Sequence, residues 1–391
     1  MRENLDAPVI RYLTVANTEV LVCNSLNCHK EVLQTKCYSF RKPDRWLRMF
    51  ESMVGKGVLS MEGAEHRAAR KMLAGPFSLS NIRKLEPVFL SKAKDVNSLF
   101  DYAIAANPGG EWGVIDCTDT FSKATLDIIG ATTLGIDLAN ITSTNFGSHA
   151  PAAKKDNAYR KDHENYSFHQ AYTVTFSQDA TGKALLYANG FFPTRWIPIE
   201  ANRVFLFATN WLASTLTQFI RSRRSQVRGA IAAGKYVQRY SRDLLSFLIE
   251  EDVPGGLAEG VPEKELVGHL LQFMSAGHDT SANVLSWGLY IMATRQDIQS
   301  KLRDEIAGLV AETPDPTYTE IERLRYLDHF VKEVLRVFSP GRSFAFLEIK
   351  TIFVEIIRNY RFLGVEKPFT VENPCFTLRP AGLEVRLEKI V

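Results

Sequence analysis

The chain has 391 residues, enough for one large domain or two to three of ordinary size, and 45% of them are hydrophobic against 23% charged. That composition excludes a disordered tail, a collagen and a coiled-coil array. With 47 basic and 44 acidic residues the net charge is only +3, which gives no general electrostatic footprint for DNA or RNA, and no nucleic-acid partner is expected.

From the N-terminus, Val9, Tyr12, Leu13 and Val15 alternate as in a strand, and Val20, Leu21 and Val22 follow the turn-like Ala16-Asn17, which predicts a hairpin. Ser25 can cap a short helix carrying Leu26, Val32 and Leu33, and from there to about residue 335 the dominant period is helical. His66 and Arg70 stand four apart on a helical face, where they could clamp two carboxylates or phosphates of a ligand. Asn107-Pro108-Gly109-Gly110 and Pro254-Gly255-Gly256 read as surface loops between helices. Arg221, Arg223, Arg224 and Arg228 form a basic run on a predicted helix, either a solvated face or a surface for an acidic partner.

Pro262 suits a first helical turn, and the apolar period from Leu266 to Leu289 predicts a long buried helix ending at about Thr294. Its middle reads Ala276-Gly277-His278-Asp279-Thr280. A glycine there costs about 1 kcal/mol relative to alanine, and the threonine hydroxyl can bond back to the carbonyl four residues earlier. Such a turn could receive a flat ligand and relay a proton, or be no more than a capped kink. Glu333 and Arg336 lie three apart on a helix whose flanks, Phe330, Val334, Leu335 and Val337, are apolar, so the pair is expected to be buried. A last helix runs over about 343–362, and a terminal hairpin is predicted around Arg379-Pro380-Ala381-Gly382. No stretch is apolar enough to span a membrane, and the chain as written shows no signal peptide. The five cysteines, Cys23, Cys28, Cys37, Cys117 and Cys375, contain no C-x-x-C pair, which fits a reducing, intracellular setting.

In this order and at these separations, the segments at His66–Arg70, Ala276–Thr280 and Glu333–Arg336 resemble the cytochrome P-450 family, haem-thiolate monooxygenases, in a microsomal type of fungal appearance. The resemblance implies a mainly α fold with small β-sheets in a single domain over 1–391. It implies haem as cofactor, an apolar small-molecule substrate and an NADPH-dependent reductase as partner. It assigns Asp279 and Thr280 to proton delivery, Ala276 and Gly277 to the haem face, His66 and Arg70 to the propionates, and Glu333 and Arg336 to structure.

The sequence departs from that family in one block. The iron-ligating cysteine loop should lie between the helix at about 328–338 and the last helix, yet aligning on Gly341 and Ala345 puts Ser339 in the cysteine's place. The fold is therefore expected to be incomplete, with the two helices forming a tight hairpin or the last one displaced. The family's endoplasmic-reticulum membrane anchor is also missing from the chain, and both gaps fit a truncated or mis-spliced product. A neutral serine hydroxyl cannot supply the electron density of a thiolate, so the resemblance implies a monooxygenase that is impaired or inactive. The other readings are a helical remnant that binds an apolar ligand, and a haem binder using another axial residue such as His278.

Overall fold

In the computed structural model, residues 7–14, 17–142, 166–176, 178–233, 243–252, 254–338, 343–372 and 378–390 are described. The chain opens with the expected hairpin, β1 (Val9–Leu13) paired antiparallel with β2 (Glu19–Cys23). Ser25 then caps α1 (Leu26–Lys30) by accepting the Cys28 N–H at 3.2 Å. Next come α2 (Asp44–Val54), α3 (Gly63–Ala74), α4 (Leu79–Arg83) and α5 (Glu86–Ala105). The 107–110 loop leads not into a helix but into a short strand, β3 (Gly113–Asp116), and Asp116 then caps α6 (Cys117–Leu134).

The middle of the chain supplies α7 (Phe168–Phe176), α8 (Ala180–Ala188), α9 (Glu200–Ala232) and α10 (Leu244–Glu250). The predicted long helix is α11 (Glu263–Thr294), starting directly after Pro262. It is followed by α12 (Gln296–Glu312), α13 (Tyr318–Ile321), α14 (Arg325–Phe338) and α15 (Ser343–Asn359). The chain then turns to strands, β4 (Tyr360–Val365), β5 (Thr370–Glu372), β6 (Arg379–Ala381) and β7 (Glu384–Lys389).

Two expectations change at this end. The last helix stops at Asn359, because Tyr360 and Phe362 alternate inward as strand residues. The terminal hairpin does not form either. Arg379-Pro380-Ala381 is itself a strand paired with β5, and β7 is the centre of a three-stranded sheet in the order β3-β7-β4. The period-2 pattern of β7 is real, but its partners are distant in sequence. On the outer side of β4, Gln299 of α12 substitutes for a strand, donating to Phe362 O and accepting Phe362 N–H, both at 2.8 Å.

The helices enclose two apolar clusters that α11 threads in turn. Leu266, Leu270 and Met274 belong to a cluster with α2, α3, α9 and α10. Leu285, Leu289 and Met292 belong to one with α5, α12, α14, α15 and the three-stranded sheet. α6 runs along α11 and contributes Leu126 and Ile129 to the first cluster, Phe121 and Ile128 to the second.

The first half of α11 is stitched to residues 55–60. His269 Nδ1 accepts the Val58 N–H at 3.1 Å, while Gln272 accepts the Leu59 N–H at 2.7 Å and donates to Gly55 O at 3.0 Å. Burial pushes the His269 imidazole down to about 4, so it stays neutral and able to accept. The approach requires Gly268, where an added Cβ would lie 1.8 Å from the carbonyl oxygen of Lys56. That oxygen is backbone and cannot swing away, so Gly268→Ala is expected to cost about 3 kcal/mol of stability, read as a lower midpoint in urea unfolding.

Candidate functional site

The Ala276–Thr280 turn falls at the changeover between the two clusters, after Met274 of one and before Ala282 of the other. The backbone stays α-helical through it. Thr280 Oγ1 donates to Ala276 O at 2.6 Å, the back-bond its spacing allows. Ala276 is exposed although it sits in the middle of a largely buried helix, and Thr280 and Asp279 are half-buried. Residues four apart differ by only about 40° around a helix, so Ala276 and Thr280 share one open face.

Gly277 faces elsewhere. A Cβ there would meet Ile129 Cδ1 of α6 at 2.7 Å, so the glycine lets α6 lie close against α11. His278 is about 200° from Ala276, on the opposite side of the helix. It is 4% exposed and hydrogen-bonded through Nε2 to Ser122 Oγ of α6 at 2.9 Å. Its ring packs edge-on against Tyr172 of α7, with 4.6 Å between centroids. Burial holds the imidazole far below its ordinary value. A role for His278 as an axial ligand on the open face is therefore overturned by its direction and by its bond to Ser122.

α3 carries His66 and Arg70 on a helix that is exposed along most of its length. Tyr38 Oη bonds His66 Nδ1 at 3.1 Å, and the guanidinium of Arg67 lies 4.5 Å from the Tyr38 ring centre. His66 is held below its ordinary value, first by partial burial and then by the charges of Lys42 and Arg70. Arg70 is exposed and within a turn of His66. The segment after α3 reaches α11 through Phe77, stacked on Phe273 at 4.7 Å, one turn before Ala276. Phe344 of α15 meets Phe77 edge-on at 6.5 Å and Phe89 at 5.2 Å. Three motif-bearing or motif-adjacent elements thus converge on one aromatic cluster.

α14 and α15 form the hairpin that the short connection demands. Only residues 339–342 join them, and Lys350 donates to Asp328 at 2.7 Å while Phe330 lies edge-on to Phe353 at 5.6 Å. Glu333 lies on an exposed face, not buried as the apolar flanks suggested, because Val331 and Val334 take the inward positions. The side chain of Arg336, and Ser339 with it, lie outside the described residues.

One residue without an assigned role stands close to the turn. Glu348 of α15 is 1% exposed and accepts a 2.6 Å hydrogen bond from Ser281, the neighbour of Thr280, while its second oxygen has no partner. The available signal was a carboxylate inside the apolar run from Phe344 to Ile357, which leaves little exposed face for it. Burial lifts its carboxyl from 4.5 to about 8, with the Ser281 bond opposing in part. Between those values the unfolded chain is ionised at this position and the folded chain is protonated, so stability falls as pH rises from about 4.5 to about 8. Glu348→Gln keeps the shape and can keep the Ser281 bond. It is expected to remove that slope and to be more stable than the parent above neutral pH, in denaturant titrations across this range. An unchanged slope would place the pH dependence elsewhere.

The family model described as Cytochrome P450 matches residues 9–340, more than half of the chain. The chain is 28% identical over 358 residues to Cytochrome P450 monooxygenase FUM15 of Gibberella moniliformis, covering 86% of this chain and 54% of that protein. It is 26% identical over 343 residues to Cytochrome P450 monooxygenase sphH of Aspergillus fumigatus, covering 85% and 57%. It is 28% identical over 364 residues to Cytochrome P450 monooxygenase ALT8 of Alternaria alternata, covering 85% and 56%. The chain spans a little over half the length of these curated relatives. The family match takes in α3, α11 and α14, the helices that carry the three motifs, and the chain belongs to the cytochrome P450 family.

Proposed function

We propose that the chain is by descent a haem-dependent monooxygenase, inserting one oxygen atom from dioxygen into an apolar organic substrate, and that in its present form it is impaired in that reaction. The observation that carries the first part is the open Ala276–Thr280 face in the middle of a buried helix. The electrons come from an NADPH-dependent reductase, as in the family, and the setting is intracellular, family members being bound to the endoplasmic-reticulum membrane. No helix among the described residues is long and apolar enough to cross a membrane.

Family membership implies haem, which when bound supplies the oxygen-activating chemistry. On the α11 side the residues fit it. Ala276 leaves room for a flat group, Gly277 keeps α6 close behind the helix, and Thr280 and Asp279 are the side chains that hold and pass protons at that face. Thr280 can do so because its hydroxyl donates to Ala276 O while its oxygen still accepts. His66 and Arg70 are the side chains to hold propionates, and Glu333 and Arg336 serve structure.

On the ligand side the described residues do not fit a thiolate, and Cys375 lies outside them. Cys23, Cys28 and Cys37 lie in or just after the N-terminal hairpin, and Cys117 is buried at the start of α6, where burial pushes its thiol well above the ordinary value. The connection 339–342 holds no cysteine. No group of three His, Cys, Asp or Glu that could hold a metal is present among the described residues. The lack of a thiolate among the described residues favours a second reading, a non-catalytic protein that binds an apolar ligand or haem without activating oxygen.

The test is the absorption spectrum of the purified chain after haem reconstitution, reduced and exposed to carbon monoxide. The expected result is no Soret band at the thiolate-type position. A thiolate-type band would overturn the impairment. A band of another type that weakens in Arg70→Ala would support haem held at α3 without oxygen activation. No haem uptake at all would leave only the apolar-ligand reading.

A further inference from the structure

The basic run on α9 divides into two parts. Arg223 turns inward, donating to Leu134 O at 3.0 Å and to Ser246 Oγ at 2.6 Å, and so closes the C-terminal end of α6. Arg221, Arg224 and Arg228 turn the other way and line an open groove of about 660 Å³ together with Ser225, Gly229 and Glu263. At spacings of three and four residues the three guanidiniums share one helical face. Ser225 and Gly229 between them are small, and a Cβ on Gly229 would meet nothing within 4 Å.

The groove's charge is unbalanced. Glu263 takes Arg221, with Nη2 to Oε1 at 2.9 Å, and stands 3.8 Å from Arg224, which is paired to Asp252 at 2.9 Å. Arg228 is exposed and meets no carboxylate among the described residues. Nε of Arg224 is buried without a hydrogen-bond partner. Glu263 is also the first residue of α11, whose N-cap, Pro262, brings no side-chain cap to this end of a 32-residue helix. The positive end of that helix lies at the same groove, with Glu263 and Glu265 of its first turn set against it.

We propose that this groove binds a phosphate-bearing group through Arg221, Arg224 and Arg228, with Glu263 as the competitor the ligand must displace. Guanidinium forks match phosphate oxygens two at a time, which favours phosphate over a single carboxylate. The Arg221–Glu263 pair is forked, Nε and Nη2 both reaching the carboxylate, with the arginine side exposed to solvent, so its release opposes phosphate binding in part. The groove is wide enough for a phosphate with an attached organic body. The group could belong to a soluble diphosphate or to an anionic lipid headgroup.

The experiment is calorimetric titration of the full chain with pyrophosphate at low salt, beside sedimentation with phosphatidylcholine vesicles with and without phosphatidic acid. Arg228→Ala is expected to weaken binding about tenfold. Glu263→Gln is expected to strengthen it several-fold, a gain that damage to the fold would not produce. Lys301→Ala, on α12, is the control and is expected to leave binding unchanged. Pyrophosphate binding with this pattern supports a soluble ligand. Vesicle binding that needs phosphatidic acid and falls in Arg228→Ala supports the headgroup. Absence of both in the parent and in Glu263→Gln overturns the proposal, as does binding that Arg228→Ala and Arg221→Ala leave unchanged.

Discussion

Everything in this fold is arranged around how closely α11 can be approached. Backbone at Lys56 presses on Gly268 and a side chain of α6 presses on Gly277, so two partners come nearer than any side chain would permit. The close packing fixes the rotation of the helix. His269, Gln272, Ala276 and Thr280 follow one another at spacings of three, four and four residues and so lie on one side of the helix; residues 55–60 bond that side at His269 and Gln272, His278 bonds Ser122 on the opposite side, and Ala276 and Thr280 lie beyond the bonded stretch.

The same geometry explains the electrostatics. The turn sits where one apolar cluster ends and the other begins, and polar pairs gather at that seam: Ser281 with Glu348, and His278 with Ser122. Both ionisable groups are driven to their neutral forms, the carboxyl upward and the imidazole downward, because burial acts against charge of either sign. A buried carboxyl with one unpartnered oxygen lowers stability, and it stands beside the open turn, bonded to Ser281.

The hairpin of α14 and α15 shows how side-chain packing alone can hold two helices together. Asp328 with Lys350 and Phe330 with Phe353 hold the two helices, and the aromatic cluster of Phe77, Phe273, Phe344 and Phe89 closes the start of α15 against α11 and α5. Packing of this kind asks only for apolar surface at the right spacing.

The sequence by itself determined the local matters. The N-terminal hairpin, the Ser25 cap, the bounds of α11 and the back-bond of Thr280 each depend on residues within a few positions of one another, and period and capping chemistry reveal them. The motif order at His66, Ala276 and Glu333 was likewise legible, and with it the family. Tertiary structure alone decided the rest. The partners of β7 lie about 270 residues upstream in β3 as well as nearby in β4, so its alternation could not say that it forms no terminal hairpin. The apolar flanks of Glu333 could not say which face turns inward. Glu348 took its meaning only from Ser281, 67 residues away, because burial and a raised proton affinity are properties of what surrounds a group and not of its place in the chain.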